Sequence, residues 1–262
     1  MELKLWKNEI PYLTDGAETP NTLHTYLIPT DKPLPCVVVF AGGGYCMRAE
    51  PEAGPFAEFF NSRGIQAVTV DYRVSPNRFP AGLADAQRAV KLVRHHAAEW
   101  GVDPNRIVVC GSSAGGHLAA STILYPDLTL TGHTPDAVDA ENAMPNGAIL
   151  CYPVISVGPE FGHVGSGEEL LGKAKYETDH EAYDLYRKVT DKTPPVFLWH
   201  TSDDNCVNVK NSLVFCENLR DHGVPFELHI YPHGHHGLGL AKECKDACGW
   251  STLAADWVLR NI

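Results

Sequence analysis

The stretch Gly111-Ser112-Ser113-Ala114-Gly115 has the form G-x-S-x-G, with Ser113 at its centre. The chemistry this suits is nucleophilic: a serine hydroxyl held out on a sharp turn between a strand and a helix, facing a carbonyl. The flanking sequence has that pattern. Ile107-Val108-Val109-Cys110 reads as a strand leading in, and Ala114 to Leu124 reads as a helix leading out. A helix N-terminus also favours negative charge beside the serine. Ser112 is one residue off the pattern and is expected to point elsewhere. His117 lies on the same helix and is expected to pack behind the turn, because a base must face the hydroxyl from across the site.

Acyl transfer needs N–H donors where the carbonyl oxygen becomes an anion. Ala41-Gly42-Gly43-Gly44-Tyr45 follows an apolar strand, and its glycines let backbone N–H groups turn inward unobstructed. The N–H of Ala114 would be another donor. A phosphate loop is disfavoured, since neither Gly-Lys-Ser/Thr nor G-x-G-x-x-G is present. Two adjacent carboxylates, Asp203 and Asp204, follow the strand Val196 to His200, and three histidines, His233, His235 and His236, follow the strand Phe226 to Tyr231. The chain order Ser, Asp, His is one of the known orders for a serine-histidine-acid triad. Chemistry alone leaves open which aspartate and which histidine take part. A metal is not expected: H-E-x-x-H is absent, and three close loop histidines do not easily converge on one ion. No cofactor is expected either.

These residues need a framework. Short apolar runs read as strands at Leu23 to Ile28, Cys36 to Phe40, Gln66 to Tyr72, Arg106 to Cys110, Ala148 to Tyr152, Val196 to His200 and Phe226 to Tyr231. Between them lie helical patterns at Pro55 to Arg63, Ala81 to Trp100, Ala114 to Leu124, Asn208 to His222 and Thr252 to Asn261. Strands alternating with helices predict an α/β fold, a mostly parallel sheet covered on both faces. Ser156 to Thr193 is irregular and falls between two strands, so it reads as an insertion that forms a lid or binding wall.

Composition bounds the rest. The chain has 262 residues, 44% hydrophobic and 20% charged, which disfavours disorder and coiled coil. The formal charge of −11 argues against general nucleic-acid binding. No run approaches the roughly 20 apolar residues of a membrane span. The eight cysteines form no CxxC pair, and Cys244 with Cys248 alone does not make a zinc site. Without an apolar leader at the N-terminus, the expectation is a reduced, cytoplasmic protein. The oligomeric state stays open.

Several stretches together resemble the α/β-hydrolase esterases of the bacterial acetyl-xylan-esterase and xylanase-associated type, relatives of the hormone-sensitive-lipase-like esterases. They are the loop at 42–45, Asp71-Tyr72-Arg73-Val74, the segment from Phe79-Pro80 to Val90, Gly101 to Ile107, Gly111 to Leu118, Thr193 to Leu198, and His236 to Leu240. The resemblance covers nearly the whole chain from about Leu23. It implies one α/β-hydrolase domain over 1–262, with the insertion at about 156–193. By the family's pattern the acid is Asp204, three residues before Val207, and the base is His236 of the His-Gly pair. The resemblance puts the oxyanion hole at Gly43, Gly44 and Ala114. Ala41 departs from the His or Pro that relatives often carry there, which changes loop support rather than the donors. The implied activity is hydrolysis of short acyl esters through an acyl-enzyme, with acetyl groups on xylan-derived oligosaccharides favoured. Tyr45, Tyr183 and His235 are candidate substrate contacts, with Tyr186 and Trp199 as further aromatic candidates. Feruloyl or aryl esters, formylkynurenine-type amides, a metal-dependent deacetylase and a non-catalytic binding protein are the rival readings.

Overall fold

The computed structural model describes residues 1–17 and 19–262. The strands are β1 (Glu2–Lys4), β2 (Thr22–Tyr26), β3 (Leu34–Phe40), β4 (Gln66–Val70), β5 (Val102–Ser112), β6 (Gly147–Cys151), β7 (Val196–Thr201) and β8 (Phe226–Tyr231). The helices are α1 (Gly54–Ser62), α2 (Ala81–His95), α3 (Ala97–Trp100), α4 (Ser113–Leu124), α5 (Val164–Leu171), α6 (Lys173–Asp179), α7 (Lys210–Asp221) and α8 (Trp250–Asn261). Among the described residues the strands form one sheet in the order β1-β2-β4-β3-β5-β6-β7-β8. β2 runs antiparallel to β1 and β4, and every pairing from β4 across to β8 is parallel.

The continuous apolar runs follow from burial of both sheet faces. Along β3, Cys36, Val38 and Phe40 enter one core with α2 and α4, while Val37 and Val39 enter the other with α1 and α8. β5, β6 and β7 alternate the same way: Ile107, Leu150 and Leu198 face the first core, and Val108, Ile149 and Phe197 face the second. A parallel sheet of this kind gathers functional loops at its carboxyl edge. The loops after β3, β5, β6, β7 and β8 all open there.

Several elements depart from the sequence expectation. The helix expected over Ala81 to Trp100 breaks at His96, whose ring stacks on Trp100 at 4.8 Å, and it ends at a left-handed Gly101 with φ 64°. Every residue from Ala81 to Val93 is buried, polar ones included. Their charges are paired: Arg73 and Asp85 form a fully buried ion pair, and Arg88 grips Asp136 and Asp139. The short β1 was not expected; Glu2 and Lys4 are exposed, and among the described residues the strand pairs with β2 alone. The segment at 156–193 is not irregular throughout, because it contains α5 and α6. Glycine-rich Val-Gly-Ser-Gly hides the helical signal of α5. A Cβ on Gly167 would sit 2.6 Å from the Tyr176 ring, so glycine is what lets α6 lie close.

Candidate active site

Ser113 follows directly on β5 and opens α4, with φ 53°. That left-handed backbone is unusual for a serine and is the strained turn that lifts Oγ out of the sheet. The turn also needs close contact between α4 and the end of β3: a Cβ on Gly115 would lie 2.2 Å from the Phe40 carbonyl oxygen. Ser113 is 8% exposed, enough to be reached, while Ser112 is fully buried and its Oγ has no hydrogen-bond partner in the structure.

His236 comes from the loop after β8. Its Nε2 is 2.8 Å from Ser113 Oγ and its Nδ1 is 2.7 Å from Asp204 Oδ2. An ionised Asp204 only accepts, so Nδ1 carries a proton and Nε2 is free to accept from the serine. Asp204 Oδ1 accepts N–H bonds from Cys206 and Val207, both at 2.9 Å. Burial pushes the Asp204 carboxyl up, but the bonds from His200, His236 and these two N–H groups outweigh it and hold it well below the usual carboxylate range. Asp203, its neighbour, points outward to exposed His233 at 3.0 Å and takes the Gly234 N–H.

The loop after β3 is fastened on its back side. Tyr72 Oη donates to the Ala41 carbonyl at 2.6 Å, the Gly42 N–H donates to Glu52 Oε2 at 2.8 Å, and the Ser75 N–H donates to the Tyr45 carbonyl at 2.8 Å. Gly43 and Gly44 follow with φ of 126° and 63°. Ala114 lies in the first turn of α4, where N–H groups have no intrahelical partner.

The other histidines separate by role. His117 is buried, with Nδ1 2.9 Å from the Tyr45 hydroxyl, and burial pushes its pKa down to about 4. It packs behind the turn, as expected. His235 is exposed and its Nδ1 donates back to the His236 carbonyl. Among the described residues no three His, Cys, Asp or Glu side chains gather where a metal ion could sit. The eight cysteines are free thiols.

The proposed aromatic contacts need correction. Tyr45 is 3% exposed and its hydroxyl is committed to His117, so it supports the loop rather than a substrate. Trp199 is fully buried and stacks on Trp250 at 4.9 Å. Tyr183 is buried edge-on against Phe79. Tyr186 remains half-exposed beside Phe161, in a cavity of about 180 Å³ that also includes His180, Asp184 and Arg187. His235 lines a second cavity of about 390 Å³ with Pro51, Pro55 and Leu238.

Four residues near the site escaped the sequence reading. His200 lies under Asp204, with Nε2 3.3 Å from Oδ2 and 2.9 Å from the Val207 carbonyl. His163, from the segment after β6, places Nε2 3.7 Å from exposed Cys206 Sγ, and burial followed by the charge of His236 lowers its pKa. Glu52 and Tyr152 form a buried pair at 2.6 Å. None belongs to a recognised motif; His200 lies four residues before Asp204 at the end of β7, and the fold brings in the other three.

The BD-FAE family model matches residues 23–219. An endo-1,4-beta-xylanase B of Butyrivibrio fibrisolvens is 34% identical over 94% of this chain and 39% of its own length. An acetylxylan esterase of Xylanibacter ruminicola is 31% identical over 78% of the chain and 41% of its own length. The chain thus spans about two fifths of the length of these two relatives. Among solved structures, an acetyl ester-xyloside bifunctional hydrolase from Caldicellulosiruptor lactoaceticus superposes with a TM-score of 0.89 at 43% identity, covering 98% of this chain and 94% of that one. A butyrate-bound esterase from Thermogutta terrifontis gives 0.75 at 29% identity, covering 96% and 93%. With the sheet order, the strained serine turn and these matches together, the chain belongs to the BD-FAE family and has the α/β-hydrolase fold.

Proposed function

We propose that this chain is a serine carboxylesterase that removes short acyl groups, acetyl foremost, from xylan-derived oligosaccharides. The observation that carries the proposal is the unbroken relay from Ser113 Oγ through His236 to Asp204, at 2.8 and 2.7 Å. Ser113 Oγ attacks the ester carbonyl as His236 Nε2 takes its proton. Asp204 fixes the tautomer and favours the imidazolium. The N–H groups of Gly43, Gly44 and Ala114 receive the oxyanion. His236 then protonates the leaving alcohol, and water, activated by the same histidine, releases the acid from the acyl-enzyme.

The acetyl-sugar assignment is supported by the names of two relatives, an acetylxylan esterase and an acetyl ester-xyloside hydrolase. The half-exposed Tyr186 and Phe161, with the polar groups around them, suit a sugar face better than a long acyl chain. In this reading the 262 residues act as one catalytic unit, with the 156–193 segment as a wall of the site. The test is a panel of p-nitrophenyl esters of rising acyl length beside acetylated xylo-oligosaccharides. Acetate release from the oligosaccharides by the native chain, and its loss in Ser113→Ala, is the expected result. Hydrolysis of p-nitrophenyl acetate with no acetate release from any acetylated sugar would remove the sugar assignment.

A further inference from the structure

We propose that Glu52 is a positioning residue for this reaction: its buried carboxylate ties the loop that presents the oxyanion donors to the loop that carries His236, and its charge favours the imidazolium form of that histidine. The proposal rests on the esterase reading above.

Glu52 is 4% exposed and ends a short 3-10 turn at Glu50–Glu52, just past the glycine loop. Its two oxygens face different loops. Oε2 accepts the Gly42 N–H at 2.8 Å. Oε1 accepts the Tyr152 hydroxyl at 2.6 Å, and that hydroxyl oxygen in turn accepts the Gly239 N–H at 3.0 Å. Gly239 is three residues beyond His236. Its carbonyl takes the Trp250 indole N–H at 3.1 Å, so the histidine loop is held from both sides.

The order of donors fixes the role. Two backbone N–H groups and one phenol O–H all point along the chain toward Glu52. An ionised Glu52 satisfies the network with both carboxylate oxygens accepting, while a protonated one would bring in an O–H with no acceptor left for it among these donors. With its N–H turned back to Glu52, Gly42 is not itself a donor to the site, and in the esterase reading that task falls to Gly43 and Gly44. A Cβ on Gly42 would lie 2.6 Å from Glu52 Oε2 and 3.2 Å from Ser113 Cβ, so carboxylate, loop and nucleophile are stacked in direct contact. The Tyr152 ring meets the His236 imidazole edge-on at 5.1 Å. Tyr152 itself has φ 35°, a strained backbone that the network must hold.

Burial pushes the Glu52 carboxyl above the usual carboxylate range, and the Tyr152 and Gly42 bonds and the charge of His236 offset that only in part. An ionised carboxylate kept in this position interacts with His236 most strongly when the histidine takes the serine proton. The groups around His236 are Asp204, Glu52, His163 and the Tyr152 ring. Those around Glu52 are Tyr152, Tyr72, Cys110 and His236.

The test measures kcat and KM for p-nitrophenyl acetate from pH 5 to 9 in the native chain and in Ser113→Ala, Glu52→Gln, Glu52→Asp and Tyr152→Phe. Rates are normalised to sites titrated with a fluorophosphonate, so partly unfolded protein does not count. Glu52→Gln keeps shape but turns one acceptor into a donor. Its kcat should fall about ten- to a hundredfold with KM nearly unchanged, as misplacement of reacting groups does. Its acidic limb should move to lower pH. Glu52→Asp keeps the charge, so that limb should stay near the native position while kcat falls. Tyr152→Phe keeps the ring but removes the hydroxyl that joins Glu52 to Gly239, and should lose about three- to tenfold in kcat. If Glu52→Gln does not fold, the Asp and Phe variants decide.

Native kcat and an unmoved limb per titrated site in Glu52→Gln, or native kcat in both other variants, would overturn the positioning role. A native chain that is active and loses activity in Ser113→Ala, combined with those results, removes the Glu52 proposal alone. A native chain with no Ser113-dependent esterase activity removes both.

Discussion

Ser113, His236 and Asp204 stand in one relay, but Asp203 lies beside Asp204 with the same chemistry. What separates them is what each accepts. Asp204 takes two backbone N–H groups and two imidazoles, while Asp203 is exposed and paired with His233. Asp204→Asn should therefore lower kcat by about three to four powers of ten, because the wrong tautomer of His236 is then held. Asp203→Asn should stay within about threefold. Steady-state kinetics on the two variants checks this, and a reversed order would move the acid to Asp203. The sequence could not choose between the two aspartates on chemistry, since the choice is made by the turn that brings the Cys206 and Val207 N–H groups onto Asp204. It could not find Glu52 at all: Ala49-Glu50-Pro51-Glu52 reads as an ordinary charged turn, and its partner Tyr152 is 100 residues away.

At the scale of elements, α2 and α4 show how polar side chains can brace a site without touching it. Arg73 and Asp85 are both fully buried, with Asp85 also taking the Trp6 indole N–H at 2.8 Å. Asp85→Ala would strand the Arg73 charge in the core, and a loss of about 3–5 kcal/mol in urea-unfolding stability is expected. A loss under about 1 kcal/mol would mean that Arg73 finds other partners. In α4, His117 is neutral in the folded chain, with burial holding its pKa down to about 4. An unfolded histidine titrates near 6.5. Between those two values the unfolded chain carries a proton here that the folded chain does not, so stability falls as pH drops through that window. The melting temperature of the native chain should exceed that of His117→Gln at pH 7.5, and the gap should narrow by pH 4.5; a constant gap would contradict a neutral buried His117. The strands that carry these elements were legible from apolar runs because both sheet faces are covered. Helix α5 was not, because its Gly167 serves packing against Tyr176 rather than helix formation.

For the whole molecule, alternation of strand and helix was enough to anticipate a mostly parallel sheet, and the sheet explains why residues 42, 113, 152, 204 and 236 meet. Each follows a different parallel strand, and the carboxyl edge collects them. The aromatic contacts could not be read in the same way. Tyr45, Tyr183 and Trp199 are large residues near site motifs, yet the two-faced sheet needs such side chains for its cores, and it takes them. Among the described residues no helix is long and apolar enough to cross a membrane. The net charge of −11 would leave a neutral acetyl sugar, the substrate proposed above, to approach without electrostatic steering in either direction. The central claim is that Ser113 is an activated nucleophile, and a fluorophosphonate tests it most directly. Intact-mass and peptide analysis after labelling should show one adduct on Ser113, formed much more slowly in His236→Ala and absent in Ser113→Ala; an unlabelled native chain, or an adduct that persists without Ser113, would contradict it.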